Sequence, residues 1–356
     1  MSEDLLRSPL FREIFKDAYR EQIPLIVHAE LTNGCNQRCR HCYIDEEKKE
    51  MLPLREWVSL LDQLVRLKTL ILTLSGGEPL LHPEFAEIYG EAHARRFGIR
   101  LFTNGLLLDD SLLKLIDARK PLNVQLSLYG HTPEIHDGIT GVHGAFERTV
   151  AAVRSVVALN IPVHIKCLWM KPNAYFFHAI RDFARSLGAE FFGSTMLTAS
   201  RSENSANLDY RLDLDQLKYI MKAGEKMSAA KRSDSLEEKL PPADGEDVLC
   251  GAGFITMRIA AEGKVYPCVE YEQEAGDVRK NSLEEIWRQS PILGGLRRLR
   301  KKDAAVCSSC ELVADCFRCP AQALKEGGDV LACYPEAYRQ ARTERLLREE
   351  SNERTL

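Results

Sequence analysis

The chain has 356 residues, of which 45% are hydrophobic and 28% are charged, so it can bury one large core or two smaller ones, and disorder is excluded as its main state. Its formal net charge of -4 excludes a global attraction to nucleic acid or to an anionic membrane. No apolar run reaches the roughly 18 residues of a membrane helix, and the charged N-terminus lacks the apolar stretch of a signal peptide. We therefore expect a cytoplasmic protein, in which cysteines more often bind metals or clusters than form disulfides.

Six short β-rich runs alternate with amphipathic segments in the first part of the chain. The predicted strands cover 25–31, 70–74, 99–102, 122–128, 163–169 and 189–192. Apolar residues at helical spacing predict helices between them, for example over 54–65 and 146–157, and another over 212–227. Such alternation is typical of a parallel sheet covered by helices, and six units are too few for a closed eight-fold barrel. The sequence thus predicts an α/β fold, a partial (β/α)6 TIM-like barrel, with its chemistry at the carboxyl ends of the strands.

Two of the predicted strands alternate polar and apolar residues. Asn123, Gln125 and Ser127 share one face of their strand, and His164 and Lys166 share one face of the next. We expect the apolar faces to pack on helices and the polar faces to line a lumen for a polar cofactor or substrate. The alternative is that the polar faces are merely solvated.

Composition divides the chain into five parts. They are an N-terminal helical extension (1–22), the barrel (23–200), a helix and linker (201–247), a loop-rich cysteine module (248–335) and a C-terminal helix (336–356). The linker ends in the polar, proline-containing stretch 233–247. The cysteine density of the module predicts that metal, rather than a hydrophobic core, holds it together.

Three cysteines follow the first predicted strand at C-x3-C-x2-C spacing, namely Cys35, Cys39 and Cys42. Structural zinc usually takes four ligands, and a [4Fe-4S] cluster needs one per iron. Three thiolates therefore leave one iron open to a substrate or cofactor. This arrangement resembles the signature of the radical S-adenosylmethionine (SAM) enzymes. In that family the open iron chelates SAM, and reduction of the cluster cleaves SAM to a 5′-deoxyadenosyl radical.

Segments after the next three strands agree with the resemblance. The run Ser75-Gly76-Gly77-Glu78-Pro79 is similar to the family's glycine-rich segment, which holds the methionine ammonium group. Glycines let the backbone approach a ligand closely, and Glu78 can complement a cation. The SAM contacts that the resemblance implies are Gly76, Gly77, Glu78, Pro79, Asn104, Ser127 and His41. The alternative for Asn104 and Ser127 is that they only cap or turn the chain.

Seven further cysteines occupy the last third of the chain, and their order resembles the SPASM extension of radical SAM enzymes, which binds two auxiliary iron–sulfur clusters, here expected to be [4Fe-4S]. The resemblance implies that the first auxiliary cluster is held by Cys250, Cys268 and Cys319. It implies that the second is held by Cys307, Cys310, Cys316 and Cys333. The first cluster is then one thiolate short, which leaves an open iron, a non-cysteine ligand or a substrate ligand. A zinc ribbon is the alternative, formed by Cys307, Cys310, Cys316 and Cys319.

Enzymes that this chain resembles most often modify ribosomally made peptides or proteins, by maturation, crosslinking, epimerisation or oxidation after hydrogen abstraction. The resemblance implies such a substrate and a reductant such as flavodoxin or ferredoxin. Only 34 residues precede Cys35, whereas a leader-binding winged-helix domain needs roughly 80. Any recognition of a leader peptide would therefore need a separate leader-peptide-binding protein.

The cysteine pattern also bears on three functions other than peptide modification. Sulfatase-maturing relatives carry an extra cysteine in the first auxiliary site and an acid after its second cysteine, where this chain has Val269. The x2 spacing between Cys316 and Cys319 is shared with relatives that decarboxylate tetrapyrrole propionates, so a haem-pathway decarboxylase is the second hypothesis. The third hypothesis is an iron–sulfur electron-transfer protein. Such a protein has no use for a three-cysteine site beside a GGEP turn, which disfavours this hypothesis. The sequence identifies no catalytic side chain.

Overall fold

A nine-stranded sheet lies at the centre of the computed structural model, which describes residues 9–44, 50–201, 205–228 and 248–353. The predicted linker stretch 233–247 lies outside the described residues. The strands are β1 (Ile26–Thr32), β2 (Ile71–Gly76), β3 (Gly98–Thr103), β4 (Asn123–Ser127), β5 (Val163–Leu168), β6 (Glu190–Ser194), β7 (Thr256–Ile259), β8 (Lys264–Tyr266) and β9 (Gly276–Asp277).

The helices of the first part of the chain separate the strands in sequence. They are α1 (Pro9–Glu21), α2 (Leu54–Arg66), α3 (Phe85–Ala94), α4 (Asp110–Ala118), α5 (Pro133–Thr140), α6 (Ala145–Ala158), α7 (Phe177–Ser186) and α8 (Leu214–Ser228). The later helices are α9 (Leu283–Gln289), α10 (Pro291–Arg298), α11 (Ala305–Ser308), α12 (Pro320–Gly327) and α13 (Pro335–Glu353). Single 3-10 turns cover Pro79–Leu81, Ala174–Phe176, Ala206–Tyr210 and Lys301–Asp303. None of the described helices is both long and apolar enough to cross a bilayer.

The strand order is β6-β5-β4-β3-β2-β1-β7-β8-β9, and β1 to β6 pair in parallel with their neighbours. Because β6 and β9 are the two edges, the sheet is open. All six predicted strands are present, with ends within two residues of prediction. The prediction of an α/β partial barrel is therefore confirmed, and the carboxyl ends of its parallel strands meet at one edge.

Three strands were missed. β7 pairs in parallel with β1, and β8 and β9 follow as antiparallel strands. With lengths of four, three and two residues, they are too short to show a clear period in the sequence. Their side chains Met257, Ile259 and Val265 lie in the same core as β1 to β5, together with Trp287 of α9. The prediction that metal rather than a hydrophobic core holds the module 248–335 is thus wrong for its first part.

Both alternating strands bury their apolar face, and β4 also buries Asn123 and Gln125 on its polar face. In β5, Val163, Ile165 and Cys167 are buried, whereas His164 and Lys166 are half-buried on the opposite face. Val163 and Ile165 belong to the main core under the helices. The predicted direction of the apolar faces is therefore confirmed, and the polar faces point to the other side of the sheet.

Candidate functional site

The three cysteines of the first cluster lie in a loop directly after β1, here called the cysteine loop (33–44). Its backbone is tied to the end of α5, because the N–H of Arg38 donates to the carbonyl of Thr140 at 2.8 Å. Within the loop, the N–H of Cys42 donates to the carbonyl of Cys39 at 3.0 Å, and that of Gln37 donates to the Cys35 thiol at 3.4 Å. The barrel thus determines the path of this loop through hydrogen bonds that need no metal.

The glycines after β2 let two backbone segments run side by side. The N–H of Gly77 donates to the carbonyl of Thr32 at 2.8 Å, and that of Glu78 donates to the carbonyl of Gly34 at 2.9 Å. A Cβ at Gly77 would lie 2.4 Å from the Gly34 oxygen, and Gly76 has a φ of +133°. Glycine is therefore required here by close approach and backbone conformation. The turn that resembles the SAM-binding segment directly supports the start of the cysteine loop.

Glu78 is completely buried, and both of its carboxylate oxygens are engaged. Oε1 accepts from Thr103 Oγ1 at 2.6 Å and from the N–H of Leu80 at 3.2 Å, and Oε2 accepts from the N–H of Asn104 at 2.7 Å. Burial raises the pKa of Glu78 to about 7. These contacts join the turn after β2 to the end of β3. Glu78 therefore has a positioning role in this fold, and the expectation that it complements a cation stays a prediction.

Asn104 links the end of β3 to the cysteine loop. Its Nδ2 donates to Asn36 Oδ1 at 2.6 Å and lies 3.9 Å from the Cys35 thiol. Its Oδ1 accepts from the N–H of Leu106 at 2.9 Å, which closes a turn over Gly105. Asn104 therefore turns the chain, as one alternative expected, and also contacts the cysteine loop. Its contact to SAM stays a prediction.

The thiols of the cysteine loop influence one another. Burial, followed by the charges of Cys42 and Cys35, raises the pKa of Cys39. Burial also raises the pKa of Cys35, with Glu78 and Cys42 adding to the shift. Cys35 and Cys39 are half-buried and Cys42 is exposed. The three thiols lie at one edge of the sheet, and their charges repel one another once they are ionised. A positively charged iron–sulfur core relieves this repulsion, so these residues fit a three-thiolate iron–sulfur site.

Ser127, His41 and Tyr129 form a second wall beside the cysteine loop. The hydroxyl groups of Ser127 and Tyr129 are hydrogen-bonded, and the His41 ring meets the Tyr129 ring edge-on at 4.5 Å. Burial lowers the pKa of His41 to about 4, so its ring is neutral at pH 7. Sequence reasoning missed Tyr129, although it lies two residues after Ser127 on the same strand face.

The polar face of the sheet carries several cations. Strand register places Ser127 beside Lys166 and Gln125 beside His164. Burial, followed by the charges of Lys166 and Arg100, lowers the pKa of His164 to about 3. Lys166 Nζ lies 4.2 Å from the centre of the Phe192 ring. The inner face next to Ser127 is thus positive and partly aromatic, as the prediction of a polar lumen requires.

The cysteines of the C-terminal region fall into two groups, here called the first and second auxiliary groups. In the first, burial and then the charges of Cys250 and Cys319 raise the pKa of Cys268. In the second, burial and then the charges of Cys307 and Cys333 raise the pKa of Cys316 to about 11.

The second auxiliary group contains Cys310 as well, because burial and then the charges of Cys307 and Cys310 raise the pKa of Cys333. Cys319 thus interacts with the first group, which disfavours the zinc ribbon that needs it beside Cys307. Among the described residues, no three Cys, His, Asp or Glu side chains surround a single-ion position. The grouping agrees with the ligand sets that the resemblance implies, and ligation itself stays a prediction.

Two arginines and two glutamates form a buried ion-pair network that sequence reasoning missed. Arg201 binds both oxygens of Glu30, at 2.5 and 2.9 Å, and its Nε lies 3.1 Å from Glu272 Oε1. Arg258 binds both oxygens of Glu272, at 3.0 and 3.1 Å. Burial opposes ionisation of Glu30, but the charges of Arg201 and Arg258 outweigh it and lower its pKa. The only sequence signal was an acid in an apolar strand.

The network connects the two cysteine regions of the molecule. Glu30 precedes the cysteine loop on β1, and the N–H of Arg201 donates to the carbonyl of Tyr43, next to Cys42, at 2.8 Å. On the other side, Glu272 and Arg258 belong to the region of the first auxiliary group. Because all four charged groups are mutually paired, the network is a clamp between the two regions rather than a ligand site.

Two family models match this chain, one over the barrel and one over the C-terminal cysteines. The model of the radical SAM superfamily matches residues 29–173, and that of the iron–sulfur cluster-binding SPASM domain matches residues 250–311. The chain is a radical SAM protein with a C-terminal SPASM domain. The radical SAM domain binds SAM and a [4Fe-4S] cluster, and the SPASM domain binds auxiliary iron–sulfur clusters.

Relatives cover most of the chain. An AdoMet-dependent heme synthase of Methanosarcina barkeri is 28% identical over an alignment of 336 residues, and the match covers 86% of this chain and 94% of that protein. A PqqA peptide cyclase of Ruegeria pomeroyi is 29% identical over an alignment of 332 residues, and the match covers 89% of this chain and 87% of that protein. The crystal structure of Streptococcus suis SuiB bound to SAM superposes with a TM-score of 0.70 at 18% identity, covering 87% of this chain and 76% of that one. At 18% identity, the similarity to SuiB is evidence for the fold alone.

Proposed function

We propose that this protein is a radical SAM enzyme that abstracts a hydrogen atom from a side chain of a ribosomally made peptide or protein. The observation that carries the proposal is the meeting of the cysteine loop, the Gly76–Gly77 turn and Asn104 at the carboxyl edge of parallel strands. When bound, the cluster and SAM supply the electron and the 5′-deoxyadenosyl radical for this reaction. Cys35, Cys39 and Cys42 are the proposed ligands of the cluster.

The surrounding residues have separate roles in this proposal. Gly76 and Gly77 bring backbone groups to the cofactor, and Pro79 begins the short turn behind them. Glu78 holds the ends of β2 and β3 together from behind. Neutral His41 shields one side of the site from water, because its ring is buried against Tyr129.

The substrate side of the site is the positive inner face. In the strand register, Lys166 lies beside Ser127, and Arg100 lies beside Asn123, further from the carboxyl ends of the strands. A half-buried cationic wall favours a substrate that brings an anionic group, such as the carboxylate of an acidic side chain. The relative named PqqA peptide cyclase supports a peptide as the bearer of that group.

A haem-pathway decarboxylase is the second candidate, and two observations favour it. The Methanosarcina relative is named heme synthase and is matched over nearly its full length. The cationic inner face also suits the propionate groups of a tetrapyrrole. Both candidates share the same radical chemistry and differ only in the molecule that enters the lumen.

The shared chemistry is tested anaerobically. The protein is reconstituted with iron and sulfide, mixed with SAM and a strong reductant, and assayed for 5′-deoxyadenosine by mass spectrometry. We expect formation by the wild type and loss to background in Cys35→Ala, Cys39→Ala and Cys42→Ala. Cys167→Ala is the matched control, because this thiol is buried among Trp169 and Phe177 and does not belong to the cysteine loop. Turnover by a loop variant at the wild-type rate contradicts the proposal.

The substrate class is tested next with two kinds of molecule. One arm adds a peptide encoded beside the gene, with any neighbouring leader-binding protein, and the other adds a propionate-bearing iron tetrapyrrole. Flavodoxin or ferredoxin serves as the proposed reductant in both. A mass change in the peptide supports peptide maturation, whereas release of carbon dioxide from the tetrapyrrole without any peptide product replaces it by the second candidate.

A further inference from the structure

The two auxiliary groups differ in the number of thiols they contain. The second auxiliary group has four, Cys307, Cys310, Cys316 and Cys333, which is one for each iron of a [4Fe-4S] cluster. The first has three, Cys250, Cys268 and Cys319. If both groups hold such clusters, one iron of the first lacks a cysteine.

A carboxylate lies next to the first auxiliary group. The backbone N–H of Glu270 donates to the Cys268 thiol, which places this residue at the edge of the group. The Glu270 Oε2 atom accepts from Gln322 Nε2 at 2.7 Å. The backbone N–H of Gln322 in turn donates to the Cys319 thiol. Glu270 is thus connected to two of the three thiols, through its own backbone on one side and through Gln322 on the other.

Gln322 orients this carboxylate. It is only 1% exposed, and its Oε1 has no hydrogen-bond partner among the described residues. Burying an amide oxygen without a hydrogen-bond partner costs free energy. Gln322 bears this cost while its amide nitrogen donates to Glu270, which indicates that the contact to Glu270 is required.

The neighbouring acid and phenol are already engaged. Glu272 is paired with Arg201 and Arg258, and the hydroxyl group of Tyr271 donates to Gln273 Oε1 at 3.4 Å. The Glu270 side chain accepts hydrogen bonds from Gln322 and from the Thr198 hydroxyl group. Both donors are neutral, in contrast to the arginines that bind Glu272, and the positive charges of Arg201 and Lys325 also act on Glu270.

We propose that the Glu270 carboxylate is the fourth protein ligand of the cluster held by the first auxiliary group. This inference rests on the proposed function, because it requires an iron–sulfur cluster at these thiols. Coordination takes place with the ionised carboxylate, which donates an oxygen lone pair to iron, and no other bond is broken. The first auxiliary cluster is then closed to substrate and serves in electron transfer, and of the three alternatives left by the cysteine count, the non-cysteine ligand is the one that applies.

The test uses the full chain with Cys35, Cys39 and Cys42 replaced by alanine, so that only the auxiliary clusters contribute to the spectra. This parent and its Glu270→Ala, Glu270→Cys and Glu326→Gln derivatives are reconstituted and analysed for iron, sulfide and the electron paramagnetic resonance spectrum of the reduced state. Cyanide is added as a small ligand that detects an open iron. Glu326 is the matched control, because it is a half-buried glutamate of the same region that pairs with Arg211.

In the parent and in Glu326→Gln, we expect two auxiliary signals that cyanide leaves unchanged. In Glu270→Ala, one signal is lost or becomes cyanide-sensitive. In Glu270→Cys, a cyanide-insensitive cluster returns with an altered spectrum, which separates loss of a ligand from loss of folding. A cyanide-sensitive parent, or a Glu270→Ala protein identical to the parent, overturns the assignment of Glu270.

Failure of the proposed function has a different signature. It is seen in the wild type as a lack of 5′-deoxyadenosine, or in the parent as a lack of bound iron and sulfide. Neither result depends on residue 270. The two hypotheses are therefore tested by separate readouts of the same preparations.

Discussion

The cysteine loop (33–44) and the auxiliary loops (299–334) both carry thiols that we propose as ligands of iron–sulfur clusters, but different contacts hold them. The first is attached to the barrel by backbone hydrogen bonds, such as those from Gly77 to Thr32 and from Arg38 to Thr140. The auxiliary loops pack in two small clusters in which the cysteines themselves are members, for example Cys319 against Ala321. The barrel therefore presets the shape of the cysteine loop, whereas we expect the shape of the auxiliary loops to depend more on what their thiols bind.

The largest effect is expected from breaking the backbone support of the cysteine loop. In Gly77→Ala, the new Cβ would lie 2.4 Å from the Gly34 oxygen and 2.7 Å from the Asn33 oxygen. Backbone cannot yield at that distance without moving the loop, so we expect 5′-deoxyadenosine formation to fall to background and the iron of the first site to be lost. Gly138→Ala is the control, since a Cβ there meets nothing within 4 Å. Equal activity in both variants contradicts the claim that the loop is preset by this contact.

Removal of iron is expected to separate the two regions. In the chelator-treated protein, amide hydrogen exchange within 299–334 is expected to rise about tenfold or more, because few apolar contacts besides the thiols hold these loops. Amides of β1 to β5 are expected to keep their protection, since their core is independent of iron. Equal loss of protection in the barrel and in the auxiliary loops would show that the difference drawn here is wrong.

The clamp between the two regions is broken by Arg201→Ala. This change leaves Glu30, which is 1% exposed, without its bidentate partner. Removing one member of a buried ion pair costs about 3–5 kcal/mol, and we expect a loss of that size in the free energy of unfolding, measured by urea titration. Arg20→Ala is the control, because its pair with Asp17 is exposed and is worth at most about 1 kcal/mol. Equal losses in the free energy of unfolding for Arg201→Ala and Arg20→Ala would show that the clamp does not stabilise the protein.

A smaller, pH-dependent effect is expected on the barrel side. His136 is fully buried, its Nδ1 accepts from the N–H of Tyr129 at 3.1 Å, and burial lowers its pKa from 6.5 to about 4. Between these two values the unfolded chain binds the proton and the folded chain does not, so stability is lost as pH falls through this window.

From pH 7 to pH 5 the loss attributable to His136 is about 2 kcal/mol, at roughly 1.4 kcal/mol per pH unit below 6.5. Urea unfolding at the two pH values measures it. In His136→Gln, which cannot titrate, this part of the pH dependence is expected to disappear. An unchanged pH dependence in the variant would mean that other groups cause it.

Local patterns in the sequence were sufficient for the barrel and for the positions of the candidate site. All six parallel strands and their order along the chain follow from apolar periodicity, because each strand is long enough to show a period. The three short strands β7 to β9 are not long enough, so only the pairing of β7 with β1, and of β8 and β9 with the strands before them, reveals them. Cysteine spacing likewise indicated cluster loops, since ligand spacing within a loop is a local property.

The sequence by itself determined the α/β class, the radical SAM and SPASM motifs and the cysteine count. The tertiary structure determined which side chains contact each other: Glu78 accepts hydrogen bonds from the end of β3, and Gln322 donates to Glu270. It also decided the clamp, in which Arg201 meets Glu30 across 171 positions of sequence. The physical reason is that hydrogen-bond partners of buried charges are chosen by burial and geometry in the folded chain, which leave no periodic trace in the sequence.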